Sequence, residues 1–336
     1  MLRLSQIIHV HLEISSRCNA SCPSCPRNLD GFPYNNGYIE HDMTLLEAQT
    51  IFRPEFLTQL KHILINGNFG DMVMNPDTID IIEYFRHHNK NLTIVVSTNG
   101  AARSCDFWQS LAHTGAKVEF CIDGLADTHS WYRQNTSYDQ VLRNAGFFIA
   151  AGGNAVWKMI EFDHNRHQIP EAKALSSDLG FRSFRLVQNN RTQGPVFDRH
   201  GKLIRIMGQA TDYQLNLSQR LQDIQHDIQS DTVLRYHKTR SNIQCQSVKD
   251  NSIYISSTGD VYPCCFLGFA PKTFGRGTYF QAAHDQFQHM IQRNNALNHD
   301  LTTCIQWFDK IAQTWNINSL EKGRLLLCNN NCGQKT

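Results

Sequence analysis

Over the first 190 residues the hydrophobic positions fall into two alternating rhythms. Ile7 to Ile14 reads as a half-buried strand, switching between apolar and polar at every step from Ile8 onward. Thr44-x-x-Glu47 is a capping-box pattern and opens a helix of about 15 residues that carries Leu45, Leu46, Ala48, Ile51 and Phe52. The short apolar strand His62–Asn66 follows and ends in a glycine-rich turn, Gly67 to Asp71. A helical pattern through Ile79, Ile82, Tyr84 and Phe85 then leads to the strand Leu92–Val96. The alternation goes on through a helix around Phe107–Ala112, the strand Lys117–Asp123, a helix around Tyr138–Ala151, the strand Ala155–Phe162, a helix around Pro170–Leu179 and the strand Phe184–Val187. Strands separated by helices predict parallel pairing with crossover helices in a wound or barrel-like sheet. Functional residues then gather at the carboxyl ends of the strands.

Beyond Val187 the pattern changes. A turn-rich stretch leads into residues 201–236, rich in Gln and Asp with Leu and Ile at helix-like spacing, which predicts a linker with a helix. From residue 237 to 336 cysteines crowd together, and Ser256 to Asp260 between Ile255 and Val261-Tyr262 predicts a hairpin. The expected organisation is therefore a large unit over 1–200 and a small Cys-rich α+β unit over 237–336.

Composition narrows the class. A chain of 336 residues with 41% hydrophobic and 18% charged residues has the balance of a globular protein, and nothing marks it as disordered. A net charge of +2, with no basic run, gives no electrostatic case for nucleic acid or an acidic membrane. The N-terminal segment lacks the apolar stretch of a signal peptide or membrane span, so a cytoplasmic location is expected. In a reducing compartment 11 cysteines read as metal ligands and buried thiols rather than disulfides.

Cys18, Cys22 and Cys25 stand in a C-x3-C-x2-C spacing directly after the first strand. Zinc prefers four ligands, and the nearest candidate, His41, lies outside knuckle spacing. Three thiolates suit a four-iron cluster in which one iron stays open to another ligand. This spacing resembles the signature of the radical S-adenosylmethionine (SAM) superfamily. The resemblance implies a [4Fe–4S] cluster whose open iron is chelated by the methionyl amino and carboxylate groups of SAM, and reductive cleavage of SAM to methionine and a 5′-deoxyadenosyl radical. It also implies a partial (β/α)6 TIM-like barrel. The residue before the third Cys is usually aromatic in the family, and here it is Ser24.

Further elements resemble the family at strand ends. Phe69-Gly70-Asp71-Met72 is similar to the Gly-Gly-Glu-Pro element, with Asp in place of Glu, which implies that Gly70 and Asp71 meet the SAM amino group; Asp71 as a plain turn residue is the alternative. Ser97-Thr98-Asn99-Gly100 resembles the polar element that meets the ribose or methionyl group, which implicates Ser97 and Asn99. Cys121-x-Asp123-Gly124 followed by His129 and Arg133 is similar to the family's S-x-D-G and H-x3-R, which implies that Arg133 pairs with the SAM carboxylate, beside Asp123. A solvated helix-face charge is the other reading of Arg133.

The C-terminal cysteines resemble the opening of the twitch and SPASM extensions: Cys245, then Gly259 at the hairpin turn, then Cys264, with Cys328 and Cys332 near the end. The implied site is a second, auxiliary [4Fe–4S] cluster on Cys245, Cys264, Cys328 and Cys332. Cys304 either replaces Cys328 or is a buried thiol, and four thiolates suit a structural zinc as well. Cys265 is either a buried thiol or a hydrogen-atom donor. Cys105 and Cys121 read as core, as do Trp157 and Met159, whereas His164 and His167 lie where a substrate might pass.

The sequence thus points to a radical SAM enzyme acting on a peptide or small molecule, supplied with electrons by a protein such as a flavodoxin or ferredoxin. With a first strand beginning by Ile7, no preceding peptide-recognition unit is expected, and a separate recognition protein is the alternative. The rival class is an iron–sulfur electron carrier without turnover, for which Asp71, Asn99, Asp123 and Arg133 have no use.

Overall fold

The structure is a computed structural model that describes residues 1–34, 38–189, 194–208, 216–218, 221–222, 233–235, 237–269 and 278–334. Six parallel strands form its centre: β1 (His9–Leu12), β2 (His62–Ile65), β3 (Thr93–Thr98), β4 (Lys117–Cys121), β5 (Asn154–Ile160) and β6 (Ser183–Val187). Neighbours in space are neighbours in sequence throughout. This is the partial (β/α)6 barrel that the resemblance implies, with the parallel pairing that the alternation predicts.

Helices α1 (Leu45–Ile51), α2 (Pro54–Gln59), α3 (Thr78–His88), α4 (Cys105–His113), α5 (Tyr138–Ala150) and α6 (Ile169–Asp178) supply the crossovers. The capping box is formed: Glu47 N–H donates to Thr44 Oγ1 at 3.2 Å, and Thr44 N–H to Glu47 Oε2 at 2.8 Å. The helix of about 15 residues expected here is instead two short ones. Pro54 has no N–H to donate and sets Arg53 in an extended conformation, so the chain starts a new helix at Pro54.

One face of the sheet packs on these helices through Val96, Val118, Phe120, Trp157 and Met159, and fully buried Phe52, Phe85, Trp108 and Phe148 fill the layer between. Trp157 and Met159 are core, as expected; Trp157 Nε1 is satisfied by the Ile122 carbonyl at 3.1 Å. The other, concave face carries polar members of five of the six strands: His11, Ser97, Glu119, Cys121, Lys158 and Arg185.

The predicted hairpin is present as β7 (Ser252–Ile255) and β8 (Val261–Tyr262), with Tyr254 opposite Tyr262. Gly259 sits in its turn at φ +81°, and a Cβ there would come within 2.9 Å of Leu297. The Cys-rich part is not a detached unit. β7 pairs parallel with β1, from His9 opposite Ser252 to Leu12 opposite Ile255, which extends the barrel sheet to eight strands in the order β8-β7-β1-β2-β3-β4-β5-β6.

Residues 203–206 depart from the expected helix. Leu203–Ile206 is a strand paired antiparallel with Pro195–Phe197. Most of the remainder of 201–236 lies outside the described residues. The chain finishes in α7 (Leu326–Cys332). Buried Arg324 fastens this helix by donating to the carbonyls of Trp315, Ile317, Arg240 and Ser241. No helix among the described residues is long and apolar enough to cross a membrane.

Candidate functional site

The loop after β1 is wound tightly by its own backbone. Cys25 N–H donates to the Cys22 carbonyl at 3.1 Å and Asn28 N–H to the Cys25 carbonyl at 3.0 Å, while Asn28 Nδ2 returns to Cys22 O at 3.1 Å. Ser21 N–H donates to the Gln134 carbonyl at 3.0 Å, which ties the loop to the segment after β4. Cys22 is buried, and Cys18 and Cys25 are partly so. Their sulfurs sit among N–H donors: Ala20 N–H points at Cys18 Sγ (3.4 Å), Asn99 Nδ2 at Cys18 Sγ (3.7 Å) and Arg133 Nη1 at Cys22 Sγ (3.8 Å). Such donors stabilise thiolate and cluster sulfur alike. Burial, reinforced by the Asp71 charge, pushes the Cys18 thiol well above its ordinary range. A metal that binds here therefore displaces protons.

Two buried carboxylates shape the loop ends around it. Glu13, at the end of β1, accepts the N–H groups of Phe69 (2.7 Å) and Gly70 (3.1 Å) on one oxygen and the Tyr254 hydroxyl (2.8 Å) on the other. Gly70 passes so close to the cysteine loop that a Cβ would lie 2.0 Å from the Ser15 carbonyl oxygen. Asp71 accepts from Val73 N–H (3.2 Å), Thr98 Oγ1 (2.6 Å) and Asn99 N–H (2.7 Å). It is thus a turn cap, as the plainer reading had it, and also a brace for the end of β3. Burial raises its carboxyl above the ordinary range against the pull of those three donors.

The end of β4 carries a third carboxylate. Asp123 is fully buried, accepting Ile160 N–H on Oδ1 (2.6 Å) and Arg133 Nε on Oδ2 (2.6 Å). The Arg133 side chain is only 14% exposed, so it is no solvated helix-face charge. His129 accepts Asp123 N–H at Nδ1 (3.3 Å) and its Nε2 meets Thr136 Oγ1 (3.0 Å). Burial lowers its pKa to about 4, which leaves the ring neutral.

Of the residues singled out from the sequence, Cys18, Cys22, Cys25, Gly70, Asp71, Asn99, Asp123 and Arg133 come together at this mouth. Ser97 sits deeper. Its hydroxyl lies on the concave face, taking a bond from Lys158 Nζ (3.1 Å) and standing 3.4 Å from Cys121 Sγ. His167 is exposed, and His41 pairs with Glu47 at 3.0 Å. His164 is stacked between Trp131 (5.0 Å) and Phe162 (5.3 Å), with Arg205 over Trp131. An apolar patch of Tyr132, Phe162, Ile160 and Met207 rests on Cys22. No motif in the sequence marks Glu13, the role of Thr98 or the rings on either side of His164; the one signal for Glu13 is a carboxylate closing an otherwise strand-like run.

The C-terminal thiols form a second group. Cys245, Cys264, Cys265, Cys328 and Cys332 line one cavity of about 360 Å³ together with His11 and Tyr254. Cys332 accepts from Cys245, which lowers the Cys332 thiol to about 6 and raises that of Cys245. Burial lifts Cys264 well above its ordinary range, Cys328 to about 12 and Cys265 to about 11. Cys304 is elsewhere: fully buried in the core, its thiol points at the His299 carbonyl at 3.6 Å. Cys105 is partly buried at the start of α4. As the side chains stand, no group of three or more His, Cys, Asp or Glu among the described residues is arranged to hold a metal ion. The thiols border a space instead of converging on a point.

No protein-family model matches the sequence, and no curated protein does. Solved structures do resemble it in fold. Streptococcus suis SuiB bound to S-adenosylmethionine superposes with a TM-score of 0.54 at 12% identity, over 78% of this chain and 61% of that one. SuiB bound to precursor peptide SuiA gives 0.56 at 14% identity, over 96% of this chain and 67% of that one. Native anSMEcpe with bound AdoMet and Cp18Cys peptide gives 0.53 at 14% identity, over 96% and 89%. The chain therefore spans about three fifths to two thirds of the length of the SuiB structures.

Proposed function

The chain has the fold of the radical SAM enzymes, and we propose that it is one: it cleaves S-adenosylmethionine reductively and uses the resulting radical to take a hydrogen atom from a peptide or small molecule. The observation that carries this reading is the gathering of three thiols, the Asp71 brace and the Asp123–Arg133 pair at one mouth of the barrel. An electron carrier needs the thiols alone; the buried polar frame around them suits a bound, zwitterionic ligand.

In this reading Cys18, Cys22 and Cys25 hold a [4Fe–4S] cluster, which supplies the electron for SAM cleavage. The N–H donors around Cys18 and Cys22 fit that charge. Asp71 keeps Asn99 in place, and Glu13 the Phe69–Gly70 backbone, for the amino end of SAM. Arg133, anchored through Nε to Asp123, directs the rest of its guanidinium toward the cysteine loop and the SAM carboxylate. The stacked rings of Trp131, His164 and Phe162 help to keep water from the mouth.

Cys245, Cys264, Cys328 and Cys332 hold an auxiliary [4Fe–4S] cluster in the same reading. Thiols spread around a cavity suit a multi-iron cluster, whereas zinc needs four ligands at about 2.3 Å from one point. The peptides bound by SuiB and anSMEcpe favour a peptide substrate here. A small electron-transfer protein would supply the reductant.

Anaerobic reconstitution tests the proposal. The expected result is about eight irons per chain, four for each cubane, and formation of methionine and 5′-deoxyadenosine from SAM and dithionite. A fully loaded protein that forms neither product would sink the enzyme reading; four irons with one zinc would sink the auxiliary cluster.

A further inference from the structure

One layer below the mouth, on the concave face of the sheet, stands a group of charges that neither the thiols nor the SAM frame uses. Glu119 of β4 lies between two cations: Lys158 of β5 at 3.1 Å from Oε2, and Arg185 of β6 at 2.5 Å from Oε1. Glu119 is nearly inaccessible, Lys158 is 21% exposed and Arg185 56% exposed. Burial works against the Glu119 charge, yet Lys158 and Arg185 together hold its carboxyl below the ordinary range. The Glu119 carboxylate is therefore ionised, and it alone faces two basic side chains. Sheet register makes the arrangement rigid, since Lys158 is paired with Cys121 on one side and with Arg185 on the other. Glu13, also on this face, is engaged by Tyr254 and by the Phe69 and Gly70 N–H groups.

We propose that Lys158 and Arg185 form the anchoring site for a carboxylate group of the substrate, with Glu119 as the built-in counter-charge that positions both. One carboxylate does not neutralise two cations, so the surplus positive charge on this face marks a place where a ligand supplies the missing negative one. The surplus is one unit, which matches a carboxylate and not a dianionic phosphate. Among the described residues only Nη1 of Arg185 has a hydrogen-bond partner, and the free edge of a guanidinium takes a carboxylate through two parallel bonds. Its place is also apt. Lys158 bonds Ser97, two residues before the Asn99 that touches Cys18, so an anchored substrate lies directly beneath the SAM site. The inference rests on the proposed function for the meaning of "substrate", but the anion site itself does not.

The test is therefore made without turnover. Melting of the anaerobically reconstituted chain is followed with N-acetylglycine as the carboxylate probe, N-acetylglycinamide as its uncharged match, and inorganic phosphate. N-acetylglycine should raise the melting temperature saturably, and the other two should not. Arg185→Gln and Lys158→Gln should each weaken probe binding about tenfold or more, the scale of one charge-assisted contact. Glu119→Gln, which removes the internal competitor, should tighten it, each variant being read against its own probe-free baseline. A purely structural network predicts no such opposite signs. Equal stabilisation by the amide, stronger stabilisation by phosphate, no shift with any probe, or a shift untouched by Arg185→Gln overturns the proposal. Release of 5′-deoxyadenosine, measured alongside, separates the outcomes: a chain that cleaves SAM but ignores the probe overturns only the carboxylate site, and one that binds the probe but never cleaves SAM overturns only the enzyme reading.

Discussion

Asn99 donates its backbone N–H to Asp71 Oδ2 at 2.7 Å, and its side chain reaches Cys18 Sγ at 3.7 Å. The turn after β2, the end of β3 and the cysteine loop are thus joined through one asparagine, and the position of the first thiol depends on a carboxylate that never touches it.

Asp71→Ala should consequently reach further than a lost surface charge. It leaves the Val73 and Asn99 N–H groups and the Thr98 hydroxyl without their acceptor, and an orphaned buried donor costs about 1–3 kcal/mol. A drop of about 3 kcal/mol in urea-derived stability is expected, with weaker SAM binding in the reconstituted protein. Native stability in the variant would mean that the brace is not formed.

Arg133→Lys keeps the charge but loses the fork that holds Asp123 and faces Cys22 at once. SAM affinity should fall by one to two factors of ten, about 1.5–3 kcal/mol. Equilibrium binding to the reconstituted chain measures this, and an unchanged dissociation constant would take Arg133 out of the ligand frame.

His129 gives the fold a pH dependence of known sign. The unfolded chain takes up a proton near pH 6.5, whereas the buried ring resists until about 4, so stability is lost as pH falls from 6.5 toward 4. Between pH 6.5 and 5 one such histidine accounts for roughly 2 kcal/mol at most. Burial also lowers His11 and His164 to about 4, so His129→Gln should flatten the urea midpoint's pH dependence in part. A variant as pH-sensitive as the parent would remove His129 from the account.

Cys304 and Cys264 should separate cleanly by metal analysis. Cys304→Ala, in the core, is expected to cost about 1–2 kcal/mol of stability and no iron. Cys264→Ala, on the cavity, should lose about four irons. Iron loss in the first variant would place Cys304 among the ligands.

The strands were legible because a sheet buried against helices on one face writes its period plainly, as in His62–Ile65 and Thr93–Thr98. The break at Pro54 is masked in the pattern because Leu45 to Phe52 holds a helical rhythm up to it. Leu203–Ile206 is a strand of alternating exposure, too short for period alone to tell it from a helix. The cysteine spacings single out the thiols as a group, and packing then puts Cys328 on the cavity and Cys304 in the core. Glu119, Lys158 and Arg185 were each unremarkable charged residues in separate strands; only the pairing register brings them within bonding distance.

The parallel pairing of β1 with β7 has a consequence for how the chain is made. Residues 9–12 find one of their two partners only after residues 252–255 have left the ribosome, a separation that makes this the slowest contact in the sheet to close. Until then β1 presents a bare row of N–H and C=O groups beside the cysteine loop, and a bare edge pairs readily with another chain. Early synthesis is thus the stage at which this protein is most prone to aggregate, and a ribosome stalled before residue 252 leaves a nascent chain with that edge still open.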